Sequence, residues 1–315
     1  MKEVTFLAGL PRSGSTVLSN ILGSHPDIHA TPSSPLCGVV QGMRNSWSQD
    51  PFFKAQLDDN FEVVSERLRR TTRATIEAWS DDSDKDITID KNRGWLFGIE
   101  WLRELYPDFK MIVTIRDLRN IYASIEKRHR QTLMLNFPDN LEHNIVDVRA
   151  KGLFDDGGIL GSCLKAINNI GDIPEISNHL LIWRYEDFVE NPQQVTDVCF
   201  NFLGVEPKEI DFNNIEQVTH ESDSYYNMKF SHEINSEFKP AEGFEQAKMS
   251  PRIVKEIEGR FEWYYRAYYP EFFAHQADLA PGSKGMRTGV QDETVSGQEQ
   301  TMIEDLERAI KKETE

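Results

Sequence analysis

Two arginines stand where anion chemistry would need them. Arg12 lies in Gly9-Leu-Pro-Arg-Ser-Gly-Ser-Thr16, a glycine-bounded run between a short apolar stretch (residues 4–8) and an apolar-periodic one (15–23). Strand, glycine loop and helix in that order make an anion site, because loop amides and the helix N-terminus point their N–H groups at one place. The spacing fits the phosphate-loop pattern G-x-x-x-x-G-K-[ST] with one change, Ser15 at the lysine position. That lysine reaches the β- and γ-phosphates of a triphosphate. The loop, with Arg12 as its cation, is therefore expected to hold an anion other than a triphosphate. The second arginine opens Arg116-Asp-Leu-Arg-Asn-Ile-Tyr-Ala-Ser124, where a β-branched run ends and a helix begins. Ser124, two turns on, can offer its hydroxyl to the anion that Arg116 meets. The plainer alternative is an arginine paired with Asp117 and an indifferent helical serine.

The elements that must position these groups follow from apolar periodicity. Strands are expected at residues 4–8, 87–90, 110–115 and 179–183, several of them near-continuous apolar runs. Helices are expected at 15–23, from about 35, at 61–79, up to 106 before Pro107, from 116 through 130, from about 162, and at 192–203. Residues 24–35 carry prolines at 26, 32 and 35 and read as loop, and 132–161 is poorly patterned. Alternating strands and helices with buried runs imply an α/β, P-loop-type three-layer fold with a central parallel sheet flanked by helices. Ligands collect at the C-terminal edge of such sheets. Arg12, Lys91, Arg116 and Tyr185 each fall just past an expected strand end, so four separate stretches converge on one edge.

The chain has 315 residues, 39% of them hydrophobic, which suffices for a core. The expected organisation is a domain over 1–275, a Gly/Ser/Thr-rich linker over 276–301 and a short helix over 302–315. A net charge of −17 argues against nucleic-acid partners. The three cysteines, Cys37, Cys163 and Cys199, have no metal-ligand spacing and read as buried free thiols, with no metal expected. No run approaches the roughly 18 apolar residues of a membrane span, and a strand beginning at Val4 leaves no room for a signal peptide. The expectation is a cytoplasmic protein without membrane partners. A homo-oligomer stays open. The basic run Lys127-Arg-His-Arg130 reads as a solvated helix face, and the aromatic run 262–270 as core packing.

The loop 9–16 with residues 113–124 resembles the two nucleotide-binding motifs of sulfotransferases that use 3′-phosphoadenylyl sulfate (PAPS). Leu10-Pro-Arg-Ser-Gly-Ser-Thr followed by Ser24-His-Pro-Asp is most similar to the tyrosylprotein sulfotransferase branch. Arg184-Tyr-Glu-Asp-Phe resembles a later family segment, and Lys239-Pro240 a late Lys-Pro of that branch. The resemblance spans about residues 4–270. It implies that Pro11, Arg12, Ser13, Gly14, Ser15 and Thr16 hold the 5′ end of PAPS, that Arg116 and Ser124 hold its 3′-phosphate, and that Tyr185 lines the adenosine side. It further implies sulfuryl transfer to a hydroxyl or amine of a small-molecule, peptide or carbohydrate acceptor, release of PAP, no metal, and transition-state stabilisation by Arg12 and Lys91. The branch carries a glutamate base after its His-Pro segment, whereas Ala30-Thr-Pro-Ser-Ser-Pro35 has no carboxylate. His29 is the base preferred in its place, ahead of Asp90, His25 and His220, with Asp90 expected to orient Lys91. Two rivals remain: a P-loop kinase or NTPase with Asp90 holding Mg²⁺, and a non-catalytic PAPS/PAP-binding module.

Overall fold

Strand β1 (Glu3–Gly9) is buried from Thr5 onward, as its unbroken apolar run requires of a strand covered on both faces. The computed structural model describes residues 3–273 apart from 82, 138–144, 172 and 246, so the expected linker and C-terminal helix lie outside the described residues. One unit covers Met1–Tyr268 and a second begins at Tyr269. With β2 (Ile28–Ser33), β3 (Ile87–Lys91), β4 (Met111–Ile115) and β5 (Leu180–Arg184), β1 forms a wholly parallel sheet of order β2-β3-β1-β4-β5. After β1 the chain runs to the far edge as β2, returns to insert β3 between β2 and β1, then crosses β1 to place β4 and β5 on the other side. The order reverses between β1 and β4, which opens a crevice at their C-terminal ends.

Alternation sorts the β1 side chains. Leu7 joins Leu18, Ile21 and Leu22 of the helix Ser15–Gly23 in a core with Ile89, Phe188 and Phe200. Phe6 points to the opposite face, its ring 4.6 Å from that of Trp95. Gly9 ends β1 at φ +148°, where a Cβ would lie 2.3 Å from the Thr114 carbonyl oxygen. The first glycine of the loop is thus fixed by the approach of β1 to β4.

Most expected elements are present, and three differ. Residues 28–33, read as loop, form β2: it is an edge strand, where Pro32 removes no needed donor, and its register shifts between Ala30 and Ser33. A helix, Val146–Phe154, occupies part of the unpatterned stretch. Its buried face includes Arg149, whose guanidinium meets the buried Glu126 at 2.6 Å, and this charge pair masks the apolar stripe. The helix expected up to residue 106 begins as a 3₁₀ turn, Arg93–Gly98, before Ile99–Leu105.

The helix Glu262–Tyr268 buries Tyr264 and Tyr265, and their hydroxyls donate to the Arg116 carbonyl and the Asp117 carboxylate. The aromatic run thus braces the end of β4. From 205 to 245 the described chain has no regular element beyond the 3₁₀ turn Asp223–Tyr226. Buried Asn20 anchors this segment: its Oδ1 accepts from the Val218 and Thr219 amides (2.6 and 2.8 Å), while its Nδ2 donates to the Thr16 carbonyl.

Candidate functional site

A cavity of about 350 Å³ opens at the C-terminal edge of the sheet, lined by Arg12, Lys91, Arg116, Ser124 and Tyr185 among others. The four strand-end positions therefore meet in one place. Pro11, Gly14, Ser15 and Thr16 also line it. Arg12 takes φ +62° and Gly14 φ +91°, left-handed conformations that turn the loop around its own interior.

Ser13 departs from the expected role. Its hydroxyl donates to the Leu10 carbonyl at 2.6 Å and lies 2.5 Å from Thr114 Oγ1, buried and outside the lining. It fastens the loop to β4.

Arg12 Nε donates to Ser124 Oγ at 3.2 Å, and its Nη1 donates to the Ser231 carbonyl at 2.7 Å. Arg116 is 4% exposed, stacks over the Tyr185 ring at 4.3 Å and donates through Nη1 to the Arg12 carbonyl. Its Nε is buried without a partner. Burial, then the charges of Arg116 and Arg128, pull the Arg12 guanidinium below its usual value. The guanidinium groups of Arg12 and Arg116, with the Ser124 hydroxyl, line one end of the cavity and are arranged to receive an anion.

Lys91 ends β3, and its Nζ lies 3.4 Å from Thr16 Oγ1 and 3.0 Å from Glu221 Oε1. Burial lowers the Lys91 ammonium, with the Glu221 carboxylate opposing. Glu221 also accepts from the Ser33 amide and hydroxyl (3.2 and 3.1 Å). Its Oε1 sits 3.3 Å from His232 Nε2, while His232 Nδ1 is 2.9 Å from Asp223 Oδ1. His232 lines the cavity.

None of the four histidine and aspartate candidates for a base is in the lining. His29 sits on β2 opposite Thr88. Asp90 points into the core and accepts from Trp95 Nε1 at 2.7 Å, because neighbours on a strand face opposite ways; it therefore does not orient Lys91. His25 is structural, stacked near Phe200 and hydrogen-bonded to the Glu206 carbonyl. His220 is exposed.

Glu221, Asp223 and His232 were not singled out by sequence reasoning. The one signal was length: some forty residues without periodicity inside a packed domain imply a working segment. The basic run 127–130 is also more than a solvated face, since His129 is buried against Lys229 and Arg128 holds the Met228 carbonyl.

A model of the sulfotransferase family matches residues 5–209. Nodulation protein NoeE of Sinorhizobium fredii is 24% identical over 228 residues, covering 68% of this chain and 53% of that protein. Protein-tyrosine sulfotransferase 2 of Gallus gallus is 23% identical over 204 residues, covering 64% and 50%. The chain thus spans about half the length of these two curated relatives. Among solved structures, mouse sulfotransferase SULT7A1 complexed with PAP superposes with a TM-score of 0.49 at 11% identity, covering 89% of each chain.

Proposed function

Because the chain belongs to the sulfotransferase family, we propose that it moves a sulfuryl group from PAPS to a hydroxyl or amine acceptor. The observation that carries this is the anion site at the β1/β4 crevice: Arg12, bonded to Ser124, and Arg116 line one cavity, and the buried Arg116 Nε lacks a partner. A donor with phosphates at both 5′ and 3′ ends needs two anion sites. The amides of 12–16 with Thr16 supply one, and Arg116 with Ser124 the other. The Tyr185 ring, stacked on Arg116, offers a face to the nucleoside.

PAPS supplies an activated sulfuryl group on a phosphosulfate bond. The chain's own residues bind it, hold the acceptor in line and neutralise charge that builds up on oxygen. Lys91 is the cation placed for that last task, next to the Thr16 hydroxyl. Arg12, tied to Ser124 and the Ser231 carbonyl, links the two anion sites and carries the remaining charge. The kinase rival loses its support, since Asp90 is engaged with Trp95 in the core.

The test is calorimetric titration with PAP, and with ATP and Mg²⁺, on wild type and Arg116→Ala. A charge-assisted phosphate contact contributes about 1.5–3 kcal/mol, so the variant should bind PAP roughly 10- to 100-fold more weakly. Equal affinity in the two proteins, or preference for ATP with Mg²⁺, refutes the reading.

A further inference from the structure

Sulfuryl transfer to a hydroxyl acceptor releases a proton, and something at the cavity must take it. The group that takes it must line the cavity or touch its lining. Among the described residues that do, Glu221, Asp223 and His232 form one connected set. The three lie beyond residue 209, outside the stretch that matches the family. We propose that the Glu221–His232 pair, steadied by Asp223, is the general base that deprotonates the acceptor. The assignment rests on the sulfotransferase reading above.

The geometry is that of a proton acceptor. A neutral imidazole has one N–H, yet both His232 nitrogens face carboxylate oxygens, at 2.9 Å and 3.3 Å. Asp223 Oδ1 also accepts from the His232 backbone amide at 3.1 Å, and the N–H is assigned to Nδ1, whose carboxylate contact is the shorter of the two. The Nε2 lone pair then faces Glu221 Oε1 with no proton between them. One added proton completes that second hydrogen bond and finds the charge already matched. Because the two groups are in direct contact, the proton belongs to the pair rather than to either side chain.

The surroundings agree. Burial holds His232 below the ordinary imidazole value despite Asp223 and Glu221, with Lys91 pushing the same way as burial, so the ring is neutral near pH 7. Lys91, Ser33 and His232 keep Glu221 ionised against its own burial. Tyr226, its ring centroid 5.1 Å from that of His232, packs beside the imidazole, and both residues line the cavity.

In the step, the acceptor oxygen forms its bond to sulfur and gives its proton to the pair. The sulfur–oxygen bond to the phosphate breaks, and its electrons stay on the departing phosphate oxygen. The pair then passes the proton to solvent. No oxidant or further reactant is needed. Glu221 also contacts Lys91, so the residue that takes the proton and the residue that neutralises the leaving oxygen are joined by one 3.0 Å ion pair.

The experiment measures PAP formed from PAPS with 4-methylphenol, with 4-nitrophenol and with water alone, for wild type, His232→Gln, Glu221→Gln and Asp223→Asn. PAP affinity is measured by calorimetry on the same proteins. General-base removal costs about 10²- to 10⁴-fold, so His232→Gln and Glu221→Gln should each lose that much rate with 4-methylphenol. The loss should shrink with 4-nitrophenol, whose far more acidic hydroxyl needs less help from a base. PAP affinity should stay within about threefold, which separates loss of the base from loss of fold or donor site. Asp223→Asn should lose less and move the pH–rate profile. An NMR titration gives a readout apart from turnover: His232 should titrate lower in Glu221→Gln, because the lost carboxylate was raising it. Full rate in either His232→Gln or Glu221→Gln overturns the pair. So does a wild type that binds PAP but never turns PAPS over. A wild type that does not bind PAP instead overturns the sulfotransferase reading.

Discussion

Replacing Gly14 by alanine tests whether the loop is shaped by what lies across the cavity. Gly14 holds φ +91°, and a Cβ there would come 2.8 Å from Tyr185 Cδ2. Left-handed backbone costs an L-residue about 1–2 kcal/mol. Carbon atoms rest about 3.5–4.0 Å apart, so the ring must give way by nearly 1 Å, and overpacking of this kind costs roughly 1–3 kcal/mol. The stiffer unfolded chain returns about 0.4–1 kcal/mol. The net expectation is a loss of about 2–4 kcal/mol, visible as a lower urea midpoint and a Tm lower by several degrees. The displaced ring would also leave the Arg116 guanidinium it faces at 4.3 Å, so PAP affinity should fall as well. The decisive assay is a double-mutant cycle with Tyr185→Ala. In that background the clash is gone and Gly14→Ala should cost only the backbone strain, which gives a coupling of about 1–3 kcal/mol. Equal costs in both backgrounds, within about 0.5 kcal/mol, would refute the argument that Tyr185 is what Gly14 accommodates.

Two further outcomes are expected. Asn20→Ala removes the acceptor for the Val218 and Thr219 amides and should destabilise the protein by about 1–3 kcal/mol. Limited proteolysis should then cut within 210–240 well before the rest, and cutting elsewhere first would show that Asn20 does not anchor the segment. The thiols of Cys37 and Cys199 are pushed up to about 12 by burial, and that of Cys163 is raised by burial as well. A thiol reagent at pH 8 should therefore label none of the three before denaturant is added, and rapid labelling of any one in the native protein contradicts its burial.

Donor-side features were legible because they are local. Strand, glycine loop and helix are contiguous in residues 4–23, and Arg116 and Ser124 sit eight residues apart, one just past β4 and the other on the helix Leu118–Gln131 that follows, so spacing carries their geometry. Convergence of Lys91 and Tyr185 followed from parallel strands having one C-terminal edge. The base was not legible, because the contacts of Glu221 with His232 and with Lys91 are made across 11 and 130 residues by a segment with no period to place it. His220 was weighed while Glu221 beside it was missed, since only the fold decides which of two neighbours turns inward. The Ser13 hydroxyl and the Asp90 carboxylate turn away from the cavity for a related reason. Their residue types suit a site, but strand alternation and the close β1–β4 approach spend them in the core.

The split between residues 5–209 and the segment beyond them has an evolutionary side. The sheet-edge half holds the anion sites, and its geometry is locked by Gly9 against Thr114 and by Tyr264 and Tyr265 behind Arg116. Glu221, Asp223 and His232 ride on an irregular strap that crosses the ends of β2 and β3, where Glu221 meets Ser33 and Lys91, and that Asn20 fastens to the loop helix. Such a strap carries no strand of its own, so its sequence can change while the sheet order stays. A lineage can thus inherit its donor chemistry intact while rewriting which nucleophile is activated, and grafting residues 210–240 between relatives is the corresponding laboratory route to a new acceptor.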